Sequence, residues 1–349
     1  MAGSDSLSSR LYRGELSIDF IGRRRLWYAI SLVIVLVALT GLLARGLNTS
    51  VEFRGGNDFR VEVPATTSVG EQQVRSAVSD LRVQGASNPT VSTLTGVRTA
   101  IRVTTAITPD ADTTRIQAAI ARTVGVQANA VGVSSIGASW GRDISRTALT
   151  SLAVFLVLVM VYLAIAFEWR MGVAAIVSLV HDLVITVGIY ALVGFEVSPA
   201  TVIGVLTVLG YSLYDSVVVF DKVRENTRNI TARSDTTYSR AANLALNQTL
   251  VRSINTTVIA LLPIVAILVI GTLVLGPGVL QDLSLALAIG LTAGAYSSVF
   301  LATPLLAQLR ERDPAMAAVR RRYATYLRTR DEAATSGASG DTELAVSRS

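Results

Sequence analysis

The chain has 349 residues, of which 51% are hydrophobic and 16% are charged, and its formal net charge is +6. This composition departs from that of a soluble globular domain and indicates a membrane protein. The chain contains no cysteine, which excludes disulfide bonds, thiolate catalysis and thiolate metal sites.

Six apolar runs are long enough to cross a bilayer, whose hydrocarbon core requires about 20 helical residues per span. They lie at 26–45, 147–167, 172–193, 199–220, 251–271 and 282–305. The first run follows three arginines but is as long as a full span, and no small-residue cleavage site follows it. We therefore interpret it as an uncleaved membrane anchor and not as a signal peptide.

The distribution of positive charge predicts the orientation of these spans. Lysines and arginines number 5, 1, 5 and 8 in segments 1–25, 168–171, 221–250 and 306–349, whereas loops 194–198 and 272–281 have none. By the positive-inside rule, both termini are expected in the cytoplasm. The charge is thus interpreted as a topology signal and not as a nucleic-acid site, although the basic run at 320–322 could also contact anionic lipid or a ribosome.

The region between the first two spans is expected to fold as a domain outside the cytoplasm. Alternation predicts strands at 57–63, 90–94, 99–105 and 131–136, and helical periodicity predicts helices at 68–82 and 109–124. Ser68 and Glu71 have the spacing of a capping box, and 95–98 is a candidate hairpin turn. The order β-α-β-β-α-β is typical of a ferredoxin-like domain, with two helices on one face of a four-stranded antiparallel sheet.

The fold class predicted from these patterns is a polytopic α-helical membrane protein with six transmembrane helices and one extracytoplasmic ferredoxin-like α+β domain. The predicted parts are a cytoplasmic segment (1–25), the first transmembrane helix (26–45), the extracytoplasmic domain (46–146), a five-helix membrane domain (147–305) and a basic cytoplasmic tail (306–349). The end of this tail, 331–349, has few large apolar residues and is expected to be disordered.

Ionisable side chains inside membrane spans are costly and are functional candidates by default. His181 and Asp182 lie near the middle of the third span, whereas Asp215 lies toward the inner end of the fourth. Arg252 begins the fifth span and is expected at a depth similar to that of Asp215. A buried carboxylate near a mobile cation can switch between its protonated and ionised forms, so these residues are a candidate proton relay. The alternative is a set of polar contacts that only fixes helix packing.

Two hydroxyl groups extend this candidate relay, and a third acid lies outside it. Tyr211 and Ser212 precede Asp215 by four and three positions, so they are expected on its helix face. Asp221, at the membrane edge before Lys222, is interpreted as a solvated charge or a contact at the end of the helix. No phosphate-binding loop, metal site or cofactor site is predicted, which leaves an ion gradient as the expected energy source and favours a non-enzyme.

Small residues mark two helix faces for close packing. Ala286, Gly290, Gly294 and Ser298 repeat every four residues in the sixth span, and Gly204 and Gly210 lie in the fourth. Such rows allow helices to approach closely, either within one chain or against a partner.

Four sequence blocks resemble the SecF family of membrane proteins. The most specific is GYSLYDSVVVFDKVREN at 210–226, which is similar to the fourth-span signature of that family. The others are VEFRGG at 51–56, the pair His181 and Asp182, and NQTLVRSINT at 247–256. Within these blocks the positions that match the family motif are Phe53, Gly55, Gly56, Asp221, Asn247 and Asn255. Two positions depart from it, with Tyr214 in place of the common Asn and Glu52 in place of Asp.

The resemblance implies a function and partners. Members of this family pair with SecD as a permease-type heterodimer, which uses the proton motive force to promote late steps of protein translocation. It also implies association with the SecYEG translocon, with YajC and a YidC-type insertase, and with the unfolded polypeptide in transit. In that scheme Asp215 and Arg252 correspond to proton-pathway residues.

Two other functions fit parts of the sequence. A small-molecule exporter of the same resistance-nodulation-division superfamily would also be driven by protons, but such exporters normally carry twelve spans. An intramembrane aspartyl protease would use Asp182 and Asp215 as a dyad sharing one proton. The different expected depths of the two aspartates, and the missing Gly-x-Gly-Asp motif, argue against it.

Overall fold

The structure is a computed structural model that describes residues 17–64, 69–94, 99–275 and 278–346. The elements in chain order are α1 (Arg24–Arg45), β1 (Asn48–Thr49), α2 (Val51–Arg54), β2 (Gly56–Glu62), α3 (Glu71–Ser79), β3 (Thr90–Leu94), β4 (Ala100–Thr105), α4 (Asp110–Val124), β5 (Gly132–Ile136), α5 (Ala138–Ala166), α6 (Trp169–Val193), β6 (Glu196–Val197), α7 (Pro199–Asn226), α8 (Tyr238–Ile270), α9 (Val279–Ser297), α10 (Thr303–Glu311) and α11 (Pro314–Val346). In these ranges, six helices are long and apolar enough to cross a membrane. They are α1 and α5 to α9, which confirms the predicted six-span fold class.

Local signals at the ends of the membrane helices explain where they begin and end. Gly194 follows α6 with φ of 84°, a left-handed conformation that glycine adopts without steric cost. The backbone amide of Thr201 donates to the Ser198 hydroxyl at 3.3 Å, and Pro199 occupies the first turn of α7. These caps satisfy backbone groups that have no partner inside the helix. The short connection makes α6 and α7 antiparallel neighbours.

The small-residue row of the sixth span packs against the fourth span of the same chain. A Cβ atom added to Gly290 would lie 2.5 Å from Val208, and one added to Gly294 would lie 2.9 Å from Ser212. Gly204 of α7 faces Ala286 of α9 in the same way, at 2.8 Å. The small-residue face of α9 therefore packs against α7 of the same chain. Gly210 differs from the expectation, because no atom lies within 4 Å of its added Cβ.

The domain between α1 and α5 has the predicted βαββαβ order. Its sheet order is β3-β4-β2-β5, and every neighbouring pair is antiparallel. Phe59 of β2 lies opposite Val103 of β4, and both side chains are fully buried beneath the two helices. Burial of Ile116 and Ile120 on one face of α4 completes this core.

The first helix of this domain begins later than predicted. Gly70 is the N-cap of α3, and its amide donates to the Gln73 side chain at 3.2 Å. The predicted capping role of Glu71 is wrong, because its carboxylate accepts instead from the amide of Thr93 in β3 at 2.7 Å. Ser68 and the predicted turn at 95–98 lie outside the described residues.

The chain after the membrane helices is more helical than predicted. The backbone of α11 is helical from Pro314 to Val346, whereas the sequence analysis predicted disorder at 331–349. Alanine is frequent in this segment, and alanine has the highest intrinsic helix propensity. The segment before the fifth span is also helical and continuous with that span, so α8 is a single helix of 33 residues.

A strand pair and a charged contact attach the βαββαβ domain to the loop between two membrane helices. β1 pairs in parallel with β6, so Asn48 lies opposite Glu196 in the loop between α6 and α7. Arg102 of β4 donates from Nε to Asp58 at 2.9 Å and from another guanidinium nitrogen to Glu196. Burial alone would lower the pKa of Arg102, but hydrogen bonds and charges from Asp58 and Glu196 raise it above its ordinary value. The domain is thus held by a charged contact that remains ionised.

Candidate functional site

Two carboxylates lie buried among the membrane helices. Asp182 of α6 is 1% exposed and Asp215 of α7 is 7% exposed. Moving an isolated carboxylate out of water costs many kcal/mol, so the groups around each one determine whether it can ionise. In both cases these groups include two serine hydroxyls.

Asp215 is held by two neighbouring helices. The Ser253 hydroxyl of α8 donates to Oδ1, and the Ser298 hydroxyl donates to Oδ2. Each carboxylate oxygen therefore has one hydroxyl donor, and a charge-assisted hydrogen bond of this kind is stronger than a neutral one. Within the described ranges, Asp215 forms no ion pair.

Asp182 has a matching environment one helix away. Its Oδ2 atom accepts from the Ser212 hydroxyl at 2.5 Å and from the Ser297 hydroxyl at 2.8 Å. Its Oδ1 atom lies 3.2 Å from Nδ1 of His181. The His181 ring stacks on Tyr296 with centroids 6.0 Å apart, and its Nε2 atom is buried without a hydrogen-bond partner in the described structure.

One serine pair connects the two sites. Ser297 and Ser298 are adjacent in sequence, where α9 changes into a π-helical segment at Ser298–Ala302. Successive residues of a helix point about 100° apart, so the pair reaches α6 with one hydroxyl and α7 with the other. π-Helical turns occur often at functional sites. The sequence analysis treated Ser298 only as a small packing residue and did not select Ser297 or Ser253.

The two hydroxyls that were expected on the helix face of Asp215, those of Tyr211 and Ser212, do not hydrogen-bond to it in the described structure. Ser212 donates to Asp182 and not to Asp215. The Tyr211 hydroxyl is buried and has no hydrogen-bond partner among the described residues. Ser212 and Asp215 are three positions apart, so their side chains differ by about 60° around the axis of α7. Ser212 therefore reaches Asp182 of α6, whereas Asp215 accepts from Ser253 of α8.

Arg252 is next in sequence to a residue that contacts Asp215, but its own side chain does not contact that carboxylate in the described structure. The adjacent residue, Ser253, makes the contact, whereas the Arg252 side chain is exposed. It lines a cavity of about 670 Å³ together with Asp221, Lys222 and Glu225. The Arg252 guanidinium was expected to influence the protonation of Asp215 directly, but the described structure shows no contact between the two groups.

The geometry does not form a protease dyad. Such a dyad needs two carboxylates that share one proton. Here Asp182 and Asp215 have separate serine partners, and the described hydrogen bonds include none between the two carboxylates.

Comparison with known proteins identifies the family. Residues 116–312 match the family described as "Protein export membrane protein SecD/SecF, C-terminal". The chain is 46% identical over 325 residues to protein translocase subunit SecF of Streptomyces coelicolor, which covers 92% of this chain and 84% of the relative. The chain belongs to the SecD/SecF family.

Further relatives and a solved structure agree with this assignment. Protein translocase subunit SecF of Mycobacterium tuberculosis H37Rv is 41% identical, with 89% of this chain and 71% of the relative covered. The crystal structure of SecDF from Thermus thermophilus, described as a translocon-associated membrane protein, aligns with a TM-score of 0.73 at 28% identity. The match covers 88% of this chain but only 42% of the SecDF chain. Together with the six apolar helices, these relatives place the chain among multi-pass membrane proteins of protein translocation.

The family motif at the entrance to the βαββαβ domain has a structural role. Phe53 lies in α2, and its carbonyl oxygen would be 2.5 Å from a Cβ atom on Gly141 of α5. Gly55 and Gly56 have φ of 76° and 147°, values that favour glycine. A Cβ atom on Gly56 would be 2.3 Å from the Thr105 carbonyl oxygen. The motif therefore turns the chain tightly into β2 beside α5.

The family motif residue Asn247 anchors the segment that precedes α1. Its side-chain oxygen accepts from the Ile18 amide at 2.8 Å, and its side-chain nitrogen donates to the Ile18 carbonyl at 3.0 Å. Asn243, one turn earlier, accepts from the Phe20 amide at 2.9 Å. Phe20 and Ile21 are buried in the core between the membrane helices. Sequence analysis had no signal for this contact, because the asparagines and residues 18–21 are more than 220 positions apart.

The remaining motif positions lie at the surface. Asn255 is exposed on α8, one turn from the exposed Arg252. Tyr214 of α7, which replaces the common Asn, is 52% exposed and does not hydrogen-bond to Asp215. The described part of the molecule thus presents polar or amphipathic side chains on the outward faces of two adjacent membrane helices.

Proposed function

We propose that this chain is the SecF subunit of a Sec translocase and that, with SecD, it uses the proton motive force to promote late steps of protein translocation. Membership of the SecD/SecF family supports the role in translocation. The observation that carries the coupling is that Asp215 is bonded to two hydroxyls, Ser253 and Ser298, and to no cation within the described ranges.

A carboxylate with hydroxyl partners can exist in two protonation states without leaving a buried polar group unpaired. When Asp215 is ionised, both serines donate to it. When a proton binds to a carboxylate oxygen, the carboxylic acid becomes a donor and a serine hydroxyl can rotate to accept from it. The Ser298 hydroxyl then has another acceptor, the Ala295 carbonyl at 3.2 Å. Ser297 has an equivalent acceptor in the Gly294 carbonyl, also at 3.2 Å.

This exchange provides a route from protonation to movement of helices. An ionised Asp215 binds α8 through Ser253 and the π-helical segment through Ser298. Protonation replaces two charge-assisted hydrogen bonds with weaker neutral ones, which loosens α7 from both neighbours. The cavity beside Arg252 is the proposed aqueous end of the path, and His181 and Asp182 continue the relay through Ser297.

The proposed site of SecD association is the outward face of α7 and α8. Arg252 and Asn255 are exposed there, at positions that a bilayer would otherwise surround. Polar groups at membrane depth are costly against lipid, so coverage by another membrane protein is favoured. SecYEG, YajC, a YidC-type insertase and the translocating polypeptide are proposed as further partners on the basis of the family alone.

The test of coupling is export into vesicles with and without an imposed proton gradient. Asp215→Asn retains the shape of the side chain but cannot titrate, so the gradient-dependent part of export is expected to disappear while the gradient-independent part remains. Asp143→Asn, which changes an exposed aspartate at the start of α5, is the matched control. Vesicles contain SecYEG, SecD and equal amounts of each variant. If Asp215→Asn kept the full stimulation, the proton-relay proposal would be wrong.

The proposed orientation places both termini on the cytoplasmic side of a bacterial inner membrane. Because the chain has no cysteine, a single introduced cysteine reports one position unambiguously. Asp235→Cys, in the loop before α8, should resist an impermeant maleimide applied to the outer face, whereas Asp112→Cys, in α4, should react. The opposite labelling pattern would reverse the proposed orientation.

A further inference from the structure

A basic cavity lies at the membrane boundary, apart from the buried carboxylates. Its volume is about 350 Å³, and it lies between the start of α1, the end of α10 and the start of α11. The lining residues are Arg24, Arg25, Tyr28, Gln308, Glu311, Arg312 and Arg320. They come from α1 and from the consecutive helices α10 and α11, which are distant from α1 in sequence, so only the folded chain brings the two groups of arginines together.

The charges of this cavity are not balanced by the protein. Four arginines surround a single carboxylate, that of Glu311. Glu311 lies 3.9 Å from Arg24 and 3.8 Å from Arg320, and it also accepts from a serine hydroxyl. Arg25 and Arg312 form no ion pair or hydrogen bond with other described residues, and both are exposed. The cavity is therefore lined by more guanidinium groups than carboxylates, and its volume of about 350 Å³ is large enough for a small anionic group.

An uncharged donor lines the same cavity. The Tyr28 hydroxyl is buried and has no hydrogen-bond partner in the described ranges. A buried hydroxyl without a partner is destabilising, so a ligand that accepts from it would be favoured. An anion held between the arginines could accept from this hydroxyl as well, so both observations indicate an acidic ligand.

The position of the cavity indicates the class of anion. Arg24 is the first residue of a helix that is apolar enough to cross the membrane. Leu32 and Leu36 continue the face of Arg25 at intervals of seven and eleven residues, and both are exposed. A ligand with a phosphate in the cavity could thus place an acyl chain along this apolar face of α1.

We propose that this cavity binds the phosphate of an anionic phospholipid. Basic pockets between membrane helices at the bilayer surface are suited to such headgroups, and arginine binds phosphate oxygens in a planar two-pronged geometry. A zwitterionic lipid would place its own cation beside four arginines, so phosphatidylglycerol is expected to be preferred over phosphatidylcholine. The site does not depend on the proton relay.

The experiment measures lipid binding to the purified full-length chain in detergent by native mass spectrometry. Phosphatidylglycerol is titrated against wild type and against the double variant Arg25→Gln with Arg312→Gln. An arginine beside an anionic lipid contributes about a factor of five in binding, so the double variant should bind roughly 25-fold more weakly. The control is Arg328→Gln with Arg330→Gln, which removes the same charge from exposed positions of α11 outside the cavity.

Further arms identify the ligand and exclude misfolding. Binding of phosphatidylcholine should be weak and the same in all variants, and inorganic phosphate at millimolar concentration should not displace phosphatidylglycerol. The circular dichroism spectrum and thermal midpoint of the double variant should match those of wild type. Equal weakening by the control variant would indicate a non-specific charge effect and overturn the proposal. Displacement by inorganic phosphate would identify a soluble-anion site and also overturn it.

Discussion

The hydroxyl of Ser298 donates to the carboxylate of Asp215 and so connects the sixth membrane helix to the fourth. The preceding residue, Ser297, donates to Asp182 on the third helix. Ser297 and Ser298, which are adjacent in the chain, therefore each donate to a different buried aspartate. A change in bonding at either aspartate that moves this part of the sixth helix also affects the other.

Ser298→Ala is expected to reduce gradient-dependent export by about tenfold, because it removes one of the two donors to Asp215. A hydrogen bond to a charged group contributes about 1.5–3 kcal/mol, and 1.4 kcal/mol corresponds to a factor of ten. The measurement is vesicle export with and without a proton gradient. The control is Thr292→Ala, which removes a hydroxyl that bonds only to the Ala288 carbonyl on the exposed face of α9. Equal loss in both variants would contradict a specific role for Ser298.

Arg102→Gln is expected to loosen the βαββαβ domain from the membrane helices. It breaks the contacts with Asp58 and Glu196 and leaves a buried carboxylate with less compensation, at a cost of about 2 kcal/mol. Hydrogen exchange in peptides covering 48–50 and 196–197 should accelerate by roughly 30-fold.

Arg60→Gln is the control for this prediction. Arg60 also pairs with Asp58, at 3.3 Å, but its side chain is 48% exposed and does not reach Glu196. Exposed ion pairs contribute about 0–1 kcal/mol, so exchange at the β1 and β6 junction should change little. Unchanged exchange in Arg102→Gln would show that strand pairing alone holds the junction.

Gly290→Ala and Gly210→Ala are expected to have opposite effects on stability. An added methyl group at Gly290 meets the buried Val208 side chain at 2.5 Å, and overpacking of this kind costs about 1–3 kcal/mol. At Gly210 the space is open, and alanine is favoured over glycine in a helix by about 1 kcal/mol. The thermal midpoint in detergent should therefore fall for the first variant and stay equal or rise for the second. A stable Gly290→Ala protein would contradict the close packing of α7 and α9.

Hydrophobic length and periodicity by themselves determined the architecture of this protein. A span must contain about 20 apolar residues, and a half-buried strand must alternate, so six helices and a βαββαβ domain can be read directly from residue order. The cost of burying charge similarly identified Asp182 and Asp215 as functional candidates without any coordinates.

Only the tertiary structure decided which groups these carboxylates contact. Hydrogen bonds require donors within about 3 Å in a suitable direction, and this depends on how each helix is rotated against its neighbours. Sequence spacing placed Ser212 on the helix face of Asp215, whereas in the structure the Ser212 hydroxyl donates to Asp182. It also favoured Arg252 over the adjacent Ser253, although the serine is the residue that faces inward. Residue types identify where charge is buried, but helix rotation determines which neighbours stabilise it.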